Sequence, residues 1–261
     1  MHFDLTDVYR PGASSIHRLD PRVKLLGVFA LILVVVTLPQ GAWPALGLVQ
    51  LLVLLIALAA GLGPLYTLRA ALIALPFMLA AVPIPFLTPG PVLWVVPGLG
   101  WAVSGPGLER FATILLRTVL AVQAGALLSA TTSVPHMLWG LQSLGLPALL
   151  VAVVGFMLRY LFVLGDEALR MLRARASRSA RTPDGRRPGF VWQGRMAGMM
   201  VGSLFLRSLE RSERVYAAMS SRGYRGQVRL LQPQAMTLPD WSALLCIALL
   251  LAAVIALGLW S

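Results

Sequence analysis

Arginine dominates the residues of this chain that could bind or react. Of its 22 basic residues Lys24 is the one lysine, and with 10 acidic residues the net charge is +12. A guanidinium stays charged at any accessible pH and presents a planar fork to carboxylates, phosphates or backbone carbonyls. Two stretches set such forks among small side chains. "RARASRS" carries Arg173, Arg175 and Arg178 just after Arg170, and "SERVYAAMSSRGYRG" carries Arg214, Arg222 and Arg225. Small neighbours let an arginine tip enter a groove on a partner.

Other chemistry finds little support. Lys24 stands in "PRVKLLG" with no glycine-rich turn before it, so the chain is not a P-loop ATPase. His2, His17 and His136 are scattered, without a second ligand at metal-like spacing. His136, in "TTSVPHMLWG", reads as an interfacial or packed side chain. Cys246, the only cysteine, lies in an apolar run and reads as a small hydrophobe. The acidic pair Asp166–Glu167 precedes a run of Arg, where pairing along a helix accounts for it. "SATTSVP" offers hydroxyls but no base to activate one, and Pro135 suits the first turn of a following helix. Neither a metal nor a cofactor is expected in the chain itself.

The elements that position these arginines belong to a membrane protein. Hydrophobic residues make up 58% of the 261 and charged ones 12%, far from the balance of a soluble domain. Apolar runs approach the roughly 20 residues that cross a bilayer core as a helix, without the period-two alternation of barrel strands. The fold class is therefore all-α and polytopic. Apolar segments run over 23–38, 45–62, 68–87, 107–130 and 241–260, with Pro76, Pro83 and Pro85 expected to kink or break the third. The first begins only near Val23, after a polar segment with Asp4, Asp7 and Asp20. It reads as a span rather than a cleaved leader. Asp20 and Pro21 suit the N-cap and first turn of its helix.

Charge sets the orientation. The N-terminal segment to Lys24 holds four basic residues, Arg10, Arg18, Arg22 and Lys24, and 14 fall from Arg170 to Arg229. By the positive-inside rule both regions face the cytoplasm. Four spans return the chain to that side near Thr131, so a full crossing at "LPALLVAVVGFMLRYLFVLG" would expel the basic region. Arg159 within that run also favours an interfacial or protein-facing helix. The resulting organisation is a cytoplasmic segment over 1–22, transmembrane helices 1–4 over 23–131, a coupling-helix domain over 132–230 and a last span over 231–261. That makes about five spans and about three non-spanning helices.

Two helices of the middle region carry the arginines. Val201, Phe205, Leu209, Ser212, Tyr216 and Met219 form one mostly apolar stripe, with Arg207, Arg211 and Arg214 on another and Glu210 in reach of Arg207 or Arg214. Gly223 is a natural left-handed stop that leaves Arg222 at a helix tip. On the preceding helix Leu161, Gly165, Ala168, Leu169, Leu172 and Ala176 make a narrow seam that permits close approach, and Arg170, Arg173, Arg175 and Arg178 project as it runs out. Three readings remain open from these residues: a solvated basic region against lipid phosphates, a pair of protein-docking tips, and nucleic-acid binding. The last has the least support, because no aromatic stacking platform accompanies the charges.

"SIHRLDPRVKLL", "TTSVP", "FMLRYLFVLGDEALRMLRARASRS" and "ERVYAAMSSRGYRG", in this order, resemble the T components of energy-coupling factor (ECF) transporters across almost the whole chain. Its "YRPGASSIHRLDPR" is most similar to the cobalt or nickel type, CbiQ/NikQ. The resemblance implies a non-catalytic transmembrane subunit that links two ABC-type ATPases, CbiO/NikO-like, to a substrate-binding S component, CbiM/NikM-like, with or without a small accessory membrane subunit. ATP and Mg would be held by the ATPases, and Co2+ or Ni2+ by the S component. No nucleic acid is implied. The family's two Ala-Arg-Gly-like signatures match Ala174-Arg175-Ala176 and Ser221-Arg222-Gly223, each keeping the arginine with small-for-small changes beside it. The resemblance implies that these tips enter grooves of the two ATPases. Alternatives are a T component for a vitamin, a lipid-binding structural protein, or a self-contained intramembrane enzyme or channel.

Overall fold

The structure, a computed structural model, describes residues 9–12, 14–95, 102–178, 189–225 and 236–260. His2, Asp4, Asp7 and most of the "RTPDGRRPG" loop lie outside the described residues. The chain forms two compact units, one comprising Thr6–Leu144 and Pro233–Ser261, the other Met1–Leu5 and Gly145–Gln232.

The larger unit is a helical bundle. A one-turn helix α1 (Ser15–Arg18) leads into α2 (Pro21–Thr37), whose N-cap Asp20 accepts the Arg22 N–H at 2.8 Å with Pro21 at the first position. α3 (Trp43–Ala59) follows, then the expected broken segment. Helix α4 (Pro64–Ala71) passes through a 3-10 turn at Leu72–Ala74 into α5 (Leu75–Ala81) and α6 (Ile84–Leu87). The 3-10 turn lies just ahead of Pro76, whose ring excludes a bond to the carbonyl four residues back. Helix α7 (Gly105–Thr131), α8 (Val134–Ser143, with Pro135 in its first turn) and α11 (Leu238–Trp260) complete the unit. The connection between α6 and α7 holds a two-stranded antiparallel ribbon, Val92–Val95 paired with Ala102–Ser104.

Pro64–Leu87, Gly105–Thr131 and Leu238–Trp260 are long and apolar enough to cross a membrane, and so is Ala148–Ser177 in the smaller unit. α2 and α3 have 17 residues each. Side chains from α2, α3, α7 and α11 make the core, centred on Val35, Leu46, Val49, Val53, Leu120 and Val254. Gly258 lets α11 approach: a Cβ there would stand 2.2 Å from Leu38 Cδ2. Gly258→Val is therefore expected to destabilise the unit by about 1–3 kcal/mol through overpacking. Thermal unfolding in detergent checks this, a melting point equal to wild type counting against it.

Polar staples fix the register of the bundle. Gln50 donates to the buried Gln123 amide at 3.1 Å, between α3 and α7. Arg117 of α7 donates to the carbonyls of Val36, Leu38 and Pro39, which end α2. Lys24 Nζ donates to the carbonyls of His17 and Thr131, each at 3.1 Å, so "SIHRLDPRVKLL" and "TTSVP" hold each other. Arg22 lies over the Trp139 ring of α8 at 4.5 Å. α8 thus packs on α2, where Gly140 leaves room for Leu25, within the stretch 132–230 expected to form the coupling region.

Candidate functional site

The arginine-bearing helices form the described part of the smaller unit. α9 (Ala148–Arg178) and α10 (Phe190–Ser221) are among the longest elements of the chain. Their apolar periodicity and lack of internal proline explain the unbroken length.

The pair runs in opposite senses. Glu167 of α9 meets Arg207 of α10 with Oε1 accepting from Nη1 at 2.8 Å, and farther along α9 Arg175 meets Trp192 near the start of α10. Glu167 also accepts from Arg170 one turn on. Glu167, read with Asp166 as pairing within its helix, thus bridges the two helices as well. Glu210 takes the second of its two possible partners, Arg214, at 3.8 Å, while Arg207 is drawn to Glu167.

The small-residue seam of α9 is not where α10 packs. Leu161 and Leu172 are half exposed, and a Cβ at Gly165 would meet nothing within 4 Å. On α10, Val201, Phe205, Leu209 and Tyr216 are likewise exposed. Much of both apolar stripes is left uncovered within the unit, while Leu164 of α9 and Leu204 of α10 are half-buried beside the Glu167–Arg207 pair.

Each expected tip has a defined local structure. Ala174-Arg175-Ala176 forms part of the last turns of α9, with Ala174 and Ala176 exposed. Arg175 is half-buried because its guanidinium lies 5.7 Å from the centroid of the Trp192 ring. Arg173 Nε donates to Leu169 O, and Arg178 ends the helix, its side chain outside the described residues. At the other tip Gly223 has φ +83°, as expected of a left-handed stop. The Tyr224 N–H bonds Met219 O and the Gly223 N–H bonds Ser220 O, each at 3.0 Å, a Schellman closure that satisfies the last carbonyls. Ser221, Arg222 and Arg225 are exposed around it.

The two tips stand far apart. Arg175 lies beside Trp192, and from Trp192 to Arg222 the helix extends about 45 Å at 1.5 Å per residue. No described hydrogen bond or ion pair joins them. Trp192 is the residue that motif reading missed. It falls outside every quoted motif, and only the antiparallel fold brings it to Arg175. Among the described residues no group of His, Cys, Asp and Glu could hold a metal, and His136 Nδ1 pairs with Ser133 Oγ at 2.6 Å.

Residues 12–233 match the family model described as CbiQ, cobalt transport protein. The energy-coupling factor transporter transmembrane protein EcfT of Acidaminococcus fermentans is 31% identical over 237 residues, covering 85% of each chain. The cobalt transport protein CbiQ of Rhodobacter capsulatus is 27% identical over 183 residues, 69% of this chain and 71% of that one. An uncharacterized protein of Methanocaldococcus jannaschii is 28% identical over 179 residues, 67% of this chain but 57% of its own length.

Proposed function

The chain belongs to the CbiQ cobalt transport protein family, and from that premise we propose that this ECF T component couples two cytoplasmic ATPases to a substrate-binding S component. Arg175 and Arg222 are the contact points for the ATPases, one tip per subunit. The carrying observation is their placement about 45 Å apart at the two ends of one antiparallel helix pair. A rigid pair of that length can transmit relative movement of two bodies that grip its ends. Arg170, Arg173, Arg178, Arg214 and Arg225 surround the tips with positive charge and favour acidic grooves.

The N-terminus and the helix pair face the cytoplasm, since both carry the basic residues. The chain has no catalytic role of its own; ATP and Mg belong to the ATPases and the transported ion to the S component. That component packs on the uncovered apolar stripes of α9 and α10. Cobalt or nickel is the cargo, on the strength of the CbiQ match. A vitamin is the second reading, since the name of the EcfT relative, whose match covers more of the chain, gives no cargo. Uptake of cobalt, nickel and vitamins by the reconstituted complex separates these, and co-purification of the ATPase pair with tip variants tests the coupling itself.

Trp192 should matter to the first tip alone. A guanidinium over an indole is worth about 0.5–2 kcal/mol, so Trp192→Ala is expected to weaken ATPase binding at Arg175 several-fold. Trp192→Phe should retain most of the binding. Titration of the purified chain with the ATPase measures both, and equal affinity of the Ala variant and wild type would refute the role.

A further inference from the structure

From Leu209 to Arg225 every residue is exposed except Arg211, Val215, Met219 and Tyr224. The first three follow at four-residue steps, one turn after another along one face of α10. In a continued helix Arg222, three residues beyond Met219, would be the next on that face. Arg222 is exposed instead, and the residue half-buried beyond the helix end is Tyr224.

The backbone accounts for this. Gly223, at φ +83°, turns the chain back, and the Tyr224 N–H bonds Met219 O at 3.0 Å. In such a closure the residue that donates this bond is carried back over the last turn, where its side chain commonly packs on that of the acceptor residue. Here donor and acceptor are Tyr224 and Met219, and both are half-buried among exposed neighbours. No described hydrogen bond uses the Tyr224 hydroxyl, so the ring supplies the cover. We infer that Tyr224 is the positioning residue of the second tip: its ring folds back on Met219 and keeps the turn closed, so that Arg222 is presented in one direction. The inference rests on the docking role proposed for Arg222. Gly223 is enough to stop the helix, whereas Tyr224 keeps the turn from opening. A frayed end would have to be ordered as it entered a groove, and that ordering weakens binding. A turn already closed avoids the loss.

The full-length chain is purified in detergent as wild type, Tyr224→Ser, Tyr224→Phe, Arg222→Ala and the Tyr224→Ser/Arg222→Ala double variant. Hydrogen exchange over residues 219–225 reads the turn without any partner. Tyr224→Ser should exchange about five-fold faster there, the scale of a lost capping contact, and Tyr224→Phe should match wild type. Titration with the ATPase pair reads the tip. Tyr224→Ser should bind several-fold more weakly and Tyr224→Phe like wild type. In the Arg222→Ala background Tyr224→Ser should add no further loss, because the ring acts through that arginine. An equal loss in that background would make Tyr224 a contact in its own right and overturn the positioning role. Unchanged exchange in Tyr224→Ser would show that the ring does not close the turn. Wild-type affinity of Tyr224→Ser beside a weak Arg222→Ala would overturn the inference alone. Wild-type affinity of Arg222→Ala would overturn the docking role of the second tip, and the inference with it.

Discussion

With Arg175 and Arg222 both replaced by Glu, co-purification of the ATPase pair is expected to fall to background while the chain remains in the membrane. Truncating one partner of a desolvated, hydrogen-bonded charge pair costs about 2–5 kcal/mol, and reversal adds repulsion from the acidic groove. Two tips together lose well over a thousand-fold in affinity on that scale. The fold should survive, because Arg222 is exposed and its helix is closed by backbone bonds rather than by its side chain. Arg175 loses only its place over Trp192. The single variants carry the finer information. With the tips about 45 Å apart, each should lose one ATPase contact and the avidity of the second. Arg→Lys at either tip should fall between, keeping charge but losing the planar fork. Detergent pull-down followed by uptake in reconstituted vesicles reads both effects. Normal assembly and uptake by the double variant would show that the tips do not dock.

Local rules were sufficient where the determinant is local. Asp20 and Pro21 start α2, Pro76 disturbs the third apolar segment, Pro135 opens α8, and Gly223 stops α10. Each depends on residues within one turn. The opposing helix ends had no such signature, because their separation follows from which residues of α9 and α10 meet. Glu167 looked intrahelical since Arg170 lies three residues away, whereas Arg207 reaches it only across the pair. The staples Gln50–Gln123 and Arg117 were hidden for the same reason. A polar residue in an apolar run signals that it needs a partner, but the partner is set by helix packing. Length and apolarity also pull against charge at α9: Ala148–Ser177 could cross a membrane, yet a crossing there would send the arginines to the far side.

Asp240→Ala is expected to be the most damaging single change in the larger unit, although Asp240 lies far from either tip in sequence. The residue is buried at the start of α11. Its Oδ2 accepts the Thr237 N–H at 2.9 Å and the Thr237 hydroxyl at 2.5 Å, the acidic half of a capping box. Its Oδ1 accepts the Asp20 N–H at 2.9 Å, at the residue that caps α2. One carboxylate therefore serves the positive ends of two helices, through a bond between residues 220 positions apart in the chain. Removing it strands the buried Asp20 N–H and uncaps α11. An orphaned buried donor costs about 1–3 kcal/mol and a lost cap typically about 1 kcal/mol. The expected fall in melting temperature in detergent is on the order of 5–10 °C. Asp240→Asn keeps one acceptor oxygen but turns an amide donor toward another N–H, so it should melt between alanine and wild type. Because the lesion acts on the bundle, the amount of ATPase bound per folded molecule should stay at the wild-type value. An alanine variant that melts with wild type would show that the shared carboxylate does not hold the two helix starts together.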